Sequence, residues 1–301
     1  MTSALHKLLG DDRPVLSDGA IGTQLQAAGL MPGASPEIWN VERPQAMRVV
    51  HSSYAAAGAR LLTTNTFGGT RPRLALHHLE HRVFELNEAG AQIARDVADA
   101  HDGVLVLGSM GPTGELLEPL GTLTQDDATK LFAEQAEGLA AGGADIILAE
   151  TFSDLGEVRA AVDGTRRGAP DLPVAVTMTF DLKGHTMMGV SPSQALREIS
   201  AMGVELIGAN CGSGPAEIEA VLEVMSAERP DGVMLIAQSN AGLPEMIGDE
   251  FHYGGTPEVM AAYAVRMWEL GVDVIGSCCG STPAHTAAMH AALADSTAWA
   301  R

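Results

Sequence analysis

Eight short apolar runs recur along the chain, and longer amphipathic segments separate them. The runs are Val15-Leu16-Ser17-Asp18, Arg60-Leu61-Leu62-Thr63-Thr64-Asn65, Val104-Leu105-Val106-Leu107-Gly108-Ser109 and Asp145-Ile146-Ile147-Leu148-Ala149-Glu150. They continue with Val174-Ala175-Val176-Thr177-Met178-Thr179, Leu206-Ile207-Gly208-Ala209-Asn210-Cys211, Val233-Met234-Leu235-Ile236-Ala237-Gln238 and Val272-Asp273-Val274-Ile275-Gly276-Ser277. Runs of this length, rich in Val, Ile and Leu, predict buried parallel strands. Between them the period lengthens to that of a helix. Met47, Val50 and Tyr54 share a face over 45–57, Leu131, Ala136 and Leu139 over 128–141, and Met260, Tyr263, Met267 and Leu270 over 257–270. Gly58, Gly143, Gly203 and Gly271 stand just ahead of strands, where a left-handed residue closes the preceding helix. Eight βα units predict an α/β fold, a single-domain (β/α)8 TIM barrel over residues 1–301. A doubly wound sheet is the competing arrangement.

The polar residues are concentrated at the carboxyl ends of these runs: Asp18, Thr64-Asn65-Thr66, Ser109, Glu150-Thr151, Asn210-Cys211, Gln238-Ser239-Asn240 and Cys278-Cys279. In a barrel that end carries the chemistry. The three cysteines are all there, Cys211 after the sixth run and Cys278 with Cys279 after the eighth. A lone free cysteine is usually a small buried hydrophobe. Three at converging strand ends, flanked by glycine and serine, instead describe a soft-ligand metal site. Three sulfurs with a fourth position open suit catalytic zinc. Such a site holds an incoming thiol as a reactive thiolate at neutral pH, so thiol alkylation is expected rather than hydrolysis. A structural zinc site completed by Asn240 or a histidine is the bland alternative.

Asp18-Gly19-Ala20-Ile21-Gly22-Thr23 sets an acid beside turn amides, a pairing that can hold the ammonium and carboxylate of an amino acid; a plain capped turn is the other reading. Glu150 ends an otherwise apolar strand, where a carboxylate is costly unless it meets a cation. Asn65, Asn210 and Asn240 are further candidate substrate contacts. Met110-Gly111-Pro112-Thr113-Gly114 reads as a rigid turn at the mouth. His77, His78 and His81 read as solvated, His285 as structural, and Met178 and Met187-Met188 as core filling. The stretch 71–81 reads as an elaborated loop.

Composition narrows the partners. A net charge of −20 excludes nucleic acid and anionic membrane surfaces. No apolar run approaches the roughly 20 residues that span a bilayer. Three cysteines are a poor disulfide framework and fit a reducing, cytoplasmic location.

The strand-end motifs Asp18–Thr23, Thr64-Asn65-Thr66-Phe67, Gly108–Gly114, Glu150-Thr151-Phe152, Gly208–Gly212 and Gly276–Gly280 occur in an order that resembles the homocysteine S-methyltransferase family, across nearly the whole chain. The resemblance implies zinc on Cys211, Cys278 and Cys279. It also implies homocysteine held by Asp18, by the following turn amides of Gly19 and Ala20, and by Glu150. Betaine-dependent members carry two aromatics where this chain has Ser35 and Gly68, so a quaternary-ammonium cage is not expected here, although Trp39 lies nearby. Gln238 to Pro244 is similar to the cobalamin-dependent methionine synthase branch, where the residue matching Asn240 approaches zinc when substrate is absent. The segment 99–103 lacks the glycine spacing of a corrinoid-binding motif. The reading is therefore a stand-alone homocysteine module. Its methyl group would come from methylcobalamin on a separate corrinoid protein that is served by its own folate-dependent methyltransferase. Direct transfer from a small sulfonium or betaine (S-methylmethionine, dimethylsulfoniopropionate, glycine betaine) is the rival, and a non-catalytic zinc- or thiol-binding accessory subunit is the reading from another class.

Overall fold

A computed structural model describes residues 4–10, 14–181, 183–247 and 250–296. Its strands are β1 (Val15–Leu16), β2 (Leu61–Thr63), β3 (Leu105–Met110), β4 (Ile146–Phe152), β5 (Val174–Met178), β6 (Leu206–Cys211), β7 (Met234–Ser239), β8 (Pro244–Ile247), β9 (Glu250–Tyr253) and β10 (Val274–Ser277). Eight of them pair in parallel in the order β1-β10-β7-β6-β5-β4-β3-β2. The ends of that sheet meet: Ser17 bridges Leu61, and the Asp18 amide donates to the Leu61 carbonyl at 3.0 Å. The sheet is thus the (β/α)8 barrel that the eight runs predict, and the doubly wound alternative is excluded.

The predicted helices fall where their periods place them, at Pro44–Ala56, Gln125–Ala141 and Pro257–Glu269. Gly58, Gly143, Gly203 and Gly271 all have positive φ, which is why helix-to-strand turns stop there. One apolar cluster fills the barrel, with Leu61, Leu107, Ile146, Leu148, Leu206, Ile236 and Val274 among its members. Leu5 and Leu9 of the helix Ala4–Leu9 belong to it as well. A second, larger cluster lies between the strands and the outer helices and includes Met47, Tyr54, Leu139 and Met267.

Three local features depart from the sequence reading. The stretch 71–81 forms the helix Arg71–Ala75 and a 3-10 turn, folded over a small cluster of Leu74, Val83 and Leu86. β8 and β9 form an antiparallel hairpin after β7. Met178 is buried as expected, but Met187 is 89% exposed, so the Met187-Met188 pair is not core filling. Its Met-Met-Gly stretch lies in the turn after β5, outside any apolar period. No helix among the described residues is long and apolar enough to cross a membrane.

Candidate functional site

The βα connections at the carboxyl end of the barrel surround a cavity of about 570 Å³. Asp18, Gly19, Ala20, Asn65, Glu150, Cys211, Cys278 and Cys279 all line it. Asn210 and Asn240 are not among its lining residues.

Cys211 ends β6 and the Cys278-Cys279 pair follows β10, and both strands neighbour β7 in the barrel. Cys211 ends β6 in the left-handed region, at φ 65°. A non-glycine residue there costs on the order of 1–2 kcal/mol, and such strain is retained where the surroundings fix it. The Cys278 amide donates to the Ser239 carbonyl at 2.7 Å and so ties the eighth barrel strand's loop to β7. At Gly280 the chain passes under Tyr253, and a Cβ there would stand 2.1 Å from the ring, so only glycine fits. The Cys211 and Cys278 sulfurs are 3.5 Å apart, and the three sulfurs lie within 4.8 Å of one another. Tetrahedral zinc with its usual sulfur bonds sets ligand sulfurs about 3.8 Å apart, so the trio fits that ion. Among the described residues this is the one group of His, Cys, Asp or Glu side chains close enough to ligate a metal together, so His77, His78 and His81 form no second site.

The three thiols do not ionise independently. Hydrogen bonds from Cys211 and Cys278 hold Cys279 far below the usual thiol range. Cys278 is pushed up by its bonds to Cys211 and Cys279 and by burial. In Cys211 the bond with Cys278 pulls down, but the bond with Cys279 and burial outweigh it and push the thiol up to about 12. A divalent ion bound by three thiolates would expel the protons that these bonds and burial favour on Cys211 and Cys278.

Asp18 is 1% exposed and accepts three hydrogen bonds: from the Thr63 amide at 2.7 Å, from Thr63 Oγ1 at 2.7 Å and from Ser17 Oγ at 3.4 Å. Burial nevertheless pushes its pKa up to about 7, with the Thr63 bonds opposing and the Glu150 charge adding. Glu150 lies where the β4–β5 register slips between Ala149 and Phe152. Thr151, next to it, is left-handed at φ 66°. A bulge of this kind re-aims a side chain, here into the cavity. Ser109 Oγ donates to Glu150, whose pKa burial still lifts to about 7. Two carboxyls that sit uncomfortably without a cation face the same cavity as the thiols.

The remaining candidates serve mainly to position others. Asn210 is fully buried; its Oδ1 accepts from the Thr151 amide and from Thr177 Oγ1, both at 2.9 Å, and its amide donates to Thr151 Oγ1 at 2.7 Å. It fixes the bulge beside Glu150 and the strand end at Cys211. Asn65 donates to the Pro36 carbonyl at 2.8 Å and to Asn40 Oδ1 at 2.9 Å, which holds the loop after β1 against β2. The Ala20 amide is engaged by Ser281 Oγ at 3.0 Å. His285 accepts from the Thr282 amide at 3.1 Å and contacts the Gly255 carbonyl at 2.9 Å, a structural role as expected. Trp39 is buried with Arg43 stacked 4.7 Å from its ring centre, so its face is already used.

Asn240 joins the two cysteine loops. Its Nδ2 donates to the Gly212 carbonyl at 2.7 Å, and its Oδ1 accepts from the Cys279 amide at 2.9 Å. Both ends of the side chain are engaged, which makes it a brace for the ligand set. Asn240→Ala is expected to lower zinc affinity about 10- to 100-fold, as measured by chelator competition; unchanged affinity would remove the brace role.

Sequence reasoning passed over Thr63, and it named Ser109 only as a polar residue at a strand's carboxyl end, with no partner. It also passed over Arg73, which lines the cavity from the connection after β2; His77, read as solvated, is exposed and borders the same cavity.

A family model described as homocysteine S-methyltransferase matches residues 15–293. The methionine synthase of Mycobacterium tuberculosis is 38% identical over 301 residues, covering 94% of this chain and 25% of that protein. The methionine synthase of Mycobacterium leprae is 37% identical over 300 residues, covering 94% and 24%. The chain thus spans about a quarter of the length of these relatives. Among solved structures, the oxidised form of the homocysteine methyltransferase MmuM from Escherichia coli superposes with a TM-score of 0.81 at 24% identity, over 96% of this chain and 99% of that one. Its metallated form gives 0.79 at 23% identity, over the same shares. At these identities the likeness is one of fold.

Proposed function

Because the chain belongs to the homocysteine S-methyltransferase family, we propose that its cavity binds homocysteine and zinc together and transfers a methyl group to the homocysteine thiol, giving methionine. The observation that carries this reading is the convergence of three cysteine sulfurs with the buried Asp18 carboxyl and the half-buried Glu150 carboxyl in one cavity. Cys211, Cys278 and Cys279 would hold the zinc, which when bound supplies a way to keep the substrate thiol deprotonated at neutral pH.

The chain's own residues do the positioning. Asp18 and Glu150 face the cavity as acceptors for the substrate ammonium, and its positive charge would compensate the burial that raises both carboxyls. Thr63 and Ser109 fix their directions. Asn210 keeps the Glu150 bulge and the Cys211 strand end in one register. Holding both ends of homocysteine sets its sulfur on a defined line for attack at a methyl carbon, and most of the acceleration would come from that alignment.

The donor proposed first is a methylated corrinoid protein. The support is the likeness to methionine synthases along a quarter of their length. A second donor class is a small sulfonium, for which the exposed ring of Phe67 offers a face in the cavity lining. The test is methionine formation by zinc-loaded protein from homocysteine, with methylcobalamin and S-methylmethionine run side by side. Turnover with methylcobalamin alone is the expected result, and turnover with S-methylmethionine alone would replace the first donor by the second. No turnover with either, together with no homocysteine binding, would overturn the catalytic reading.

A further inference from the structure

A polar ring stands directly above the apolar plug of the barrel. Alternate residues of a strand face the same side. Two positions beyond the plug residues Val15, Leu61, Leu107, Leu148, Ala175 and Ile236 come Ser17, Thr63, Ser109, Glu150, Thr177 and Gln238. Polar atoms buried at this depth need partners, and the ring supplies most of them. Thr63 Oγ1 donates to Asp18 at 2.7 Å, and Thr177 Oγ1 donates to Asn210 at 2.9 Å. Ser109 Oγ donates to Glu150. Ser17 Oγ donates to Asp18 at 3.4 Å and accepts from Gln238 Nε2 at 3.1 Å.

Gln238 is the member whose side chain is only half used. It is 4% exposed and lines the cavity, yet its Oε1 has no partner among the described residues. The bond to Ser17 sets the direction of the amide. The Ser17 hydroxyl gives its proton to Asp18 and therefore meets Gln238 as an acceptor, which calls for the NH2 end. The oxygen is the end left over, and the amide that carries it is two hydrogen bonds from Asp18. A buried acceptor without a partner is costly, and a ligand that brings an N–H to it recovers that loss.

We propose that Gln238 Oε1 accepts an N–H of the homocysteine ammonium, beside Asp18 and Glu150; the contact rests on the homocysteine reading of the cavity. An ammonium carries three N–H donors, and two acids leave one of them without an acceptor. The chemistry of the floor selects that group. Two carboxyls and a neutral carbonyl oxygen offer acceptors, whereas a substrate carboxylate placed there would meet like charge. Three acceptors around one nitrogen also set the direction of its bond to carbon, and with it the line along which the thiol reaches the cysteines. Gln238 is thus a substrate-binding residue that orients the amino-acid end for the reaction at the other end.

The test is calorimetric titration of the zinc-loaded protein with homocysteine and with 4-mercaptobutyrate, which keeps the thiol and the carboxylate and lacks the ammonium. Gln238→Met, similar in length but without an oxygen, is expected to weaken homocysteine about 10- to 100-fold and to leave 4-mercaptobutyrate unchanged. Gln238→Glu keeps an acceptor oxygen in place of Oε1, so it is expected to hold homocysteine nearly as tightly as the parent. Homocysteine that binds Gln238→Met as well as it binds the parent overturns the contact, and so does equal weakening of both thiols. A Gln238→Glu protein as weak as Gln238→Met overturns it too, because the loss would then come from the broken bond to Ser17 and its effect on Asp18. A parent protein that binds no homocysteine would sink the methyl-transfer reading instead, so the two failures are distinguishable.

Discussion

Replacing Cys278 by serine is expected to remove zinc and methyl transfer together while leaving the barrel folded. Closed four-ligand zinc sites bind with about 10–16 kcal/mol, or roughly 2.5–4 kcal/mol per ligand. The loss of one soft sulfur from a set of three therefore weakens binding by a factor on the order of 10² to 10³. A serine hydroxyl does not compensate, since it stays protonated at neutral pH and is a harder donor than a thiolate. The fold should survive because the Cys278 amide keeps its bond to the Ser239 carbonyl whatever the side chain. The sulfur is half-buried at the cavity wall and belongs to neither apolar cluster. Metal content after dialysis against a chelator reads the first effect, methionine formation the second and circular dichroism the third. A Cys278→Ser protein that keeps one zinc per chain and its turnover would show that the trio is not the metal site.

The cysteines are legible in the sequence, while the residues that support them are not. Eight runs of the right length dictate eight strands, and a barrel brings all their carboxyl ends to one face. The convergence of Cys211 with Cys278 and Cys279 follows from that topology alone. Asn210 and Asn240 end strands too, and by position alone they read as substrate contacts. What diverts them is local geometry that no period encodes: left-handed Thr151 and Cys211 leave backbone amides and carbonyls that the two asparagines satisfy. The supporting roles of Thr63 and Ser109 were not legible because their partners, Asp18 and Glu150, are 45 and 41 residues away. The hairpin of β8 and β9 and the helix Arg71–Ala75 were missed for another reason. Both are short, and Pro and Gly interrupt the apolar patterns that would announce them.

Homocysteine affinity should fall steeply below pH 7, and Asp18→Asn should flatten that fall while weakening binding at neutral pH. In the substrate-free protein burial holds Asp18 and Glu150 near pKa 7, so each is substantially protonated in mildly acidic solution. An ammonium partner favours the charged carboxylates, and binding must expel those protons. Affinity then drops up to about tenfold per pH unit for each carboxyl that has to ionise. Removing one partner of a buried ion pair costs about 3–5 kcal/mol, so Asp18→Asn should weaken homocysteine at pH 8 by a factor on the order of 10² to 10⁴. Stability carries the same signature with a definite sign. The folded pKa of Asp18 lies above its unfolded value of 3.8, so its stabilising contribution is full below about pH 4 and is lost as pH rises toward 7. Between pH 5 and 7 the loss is on the order of 2 kcal/mol for this one group. Asp18→Asn cannot titrate at this position, so subtracting its unfolding free energy from that of the parent isolates the effect. The difference should shrink when homocysteine is added, because the ammonium lowers the carboxyl that burial had raised. A parent protein whose homocysteine affinity is flat from pH 5.5 to 8 would remove Asp18 and Glu150 from the ammonium site.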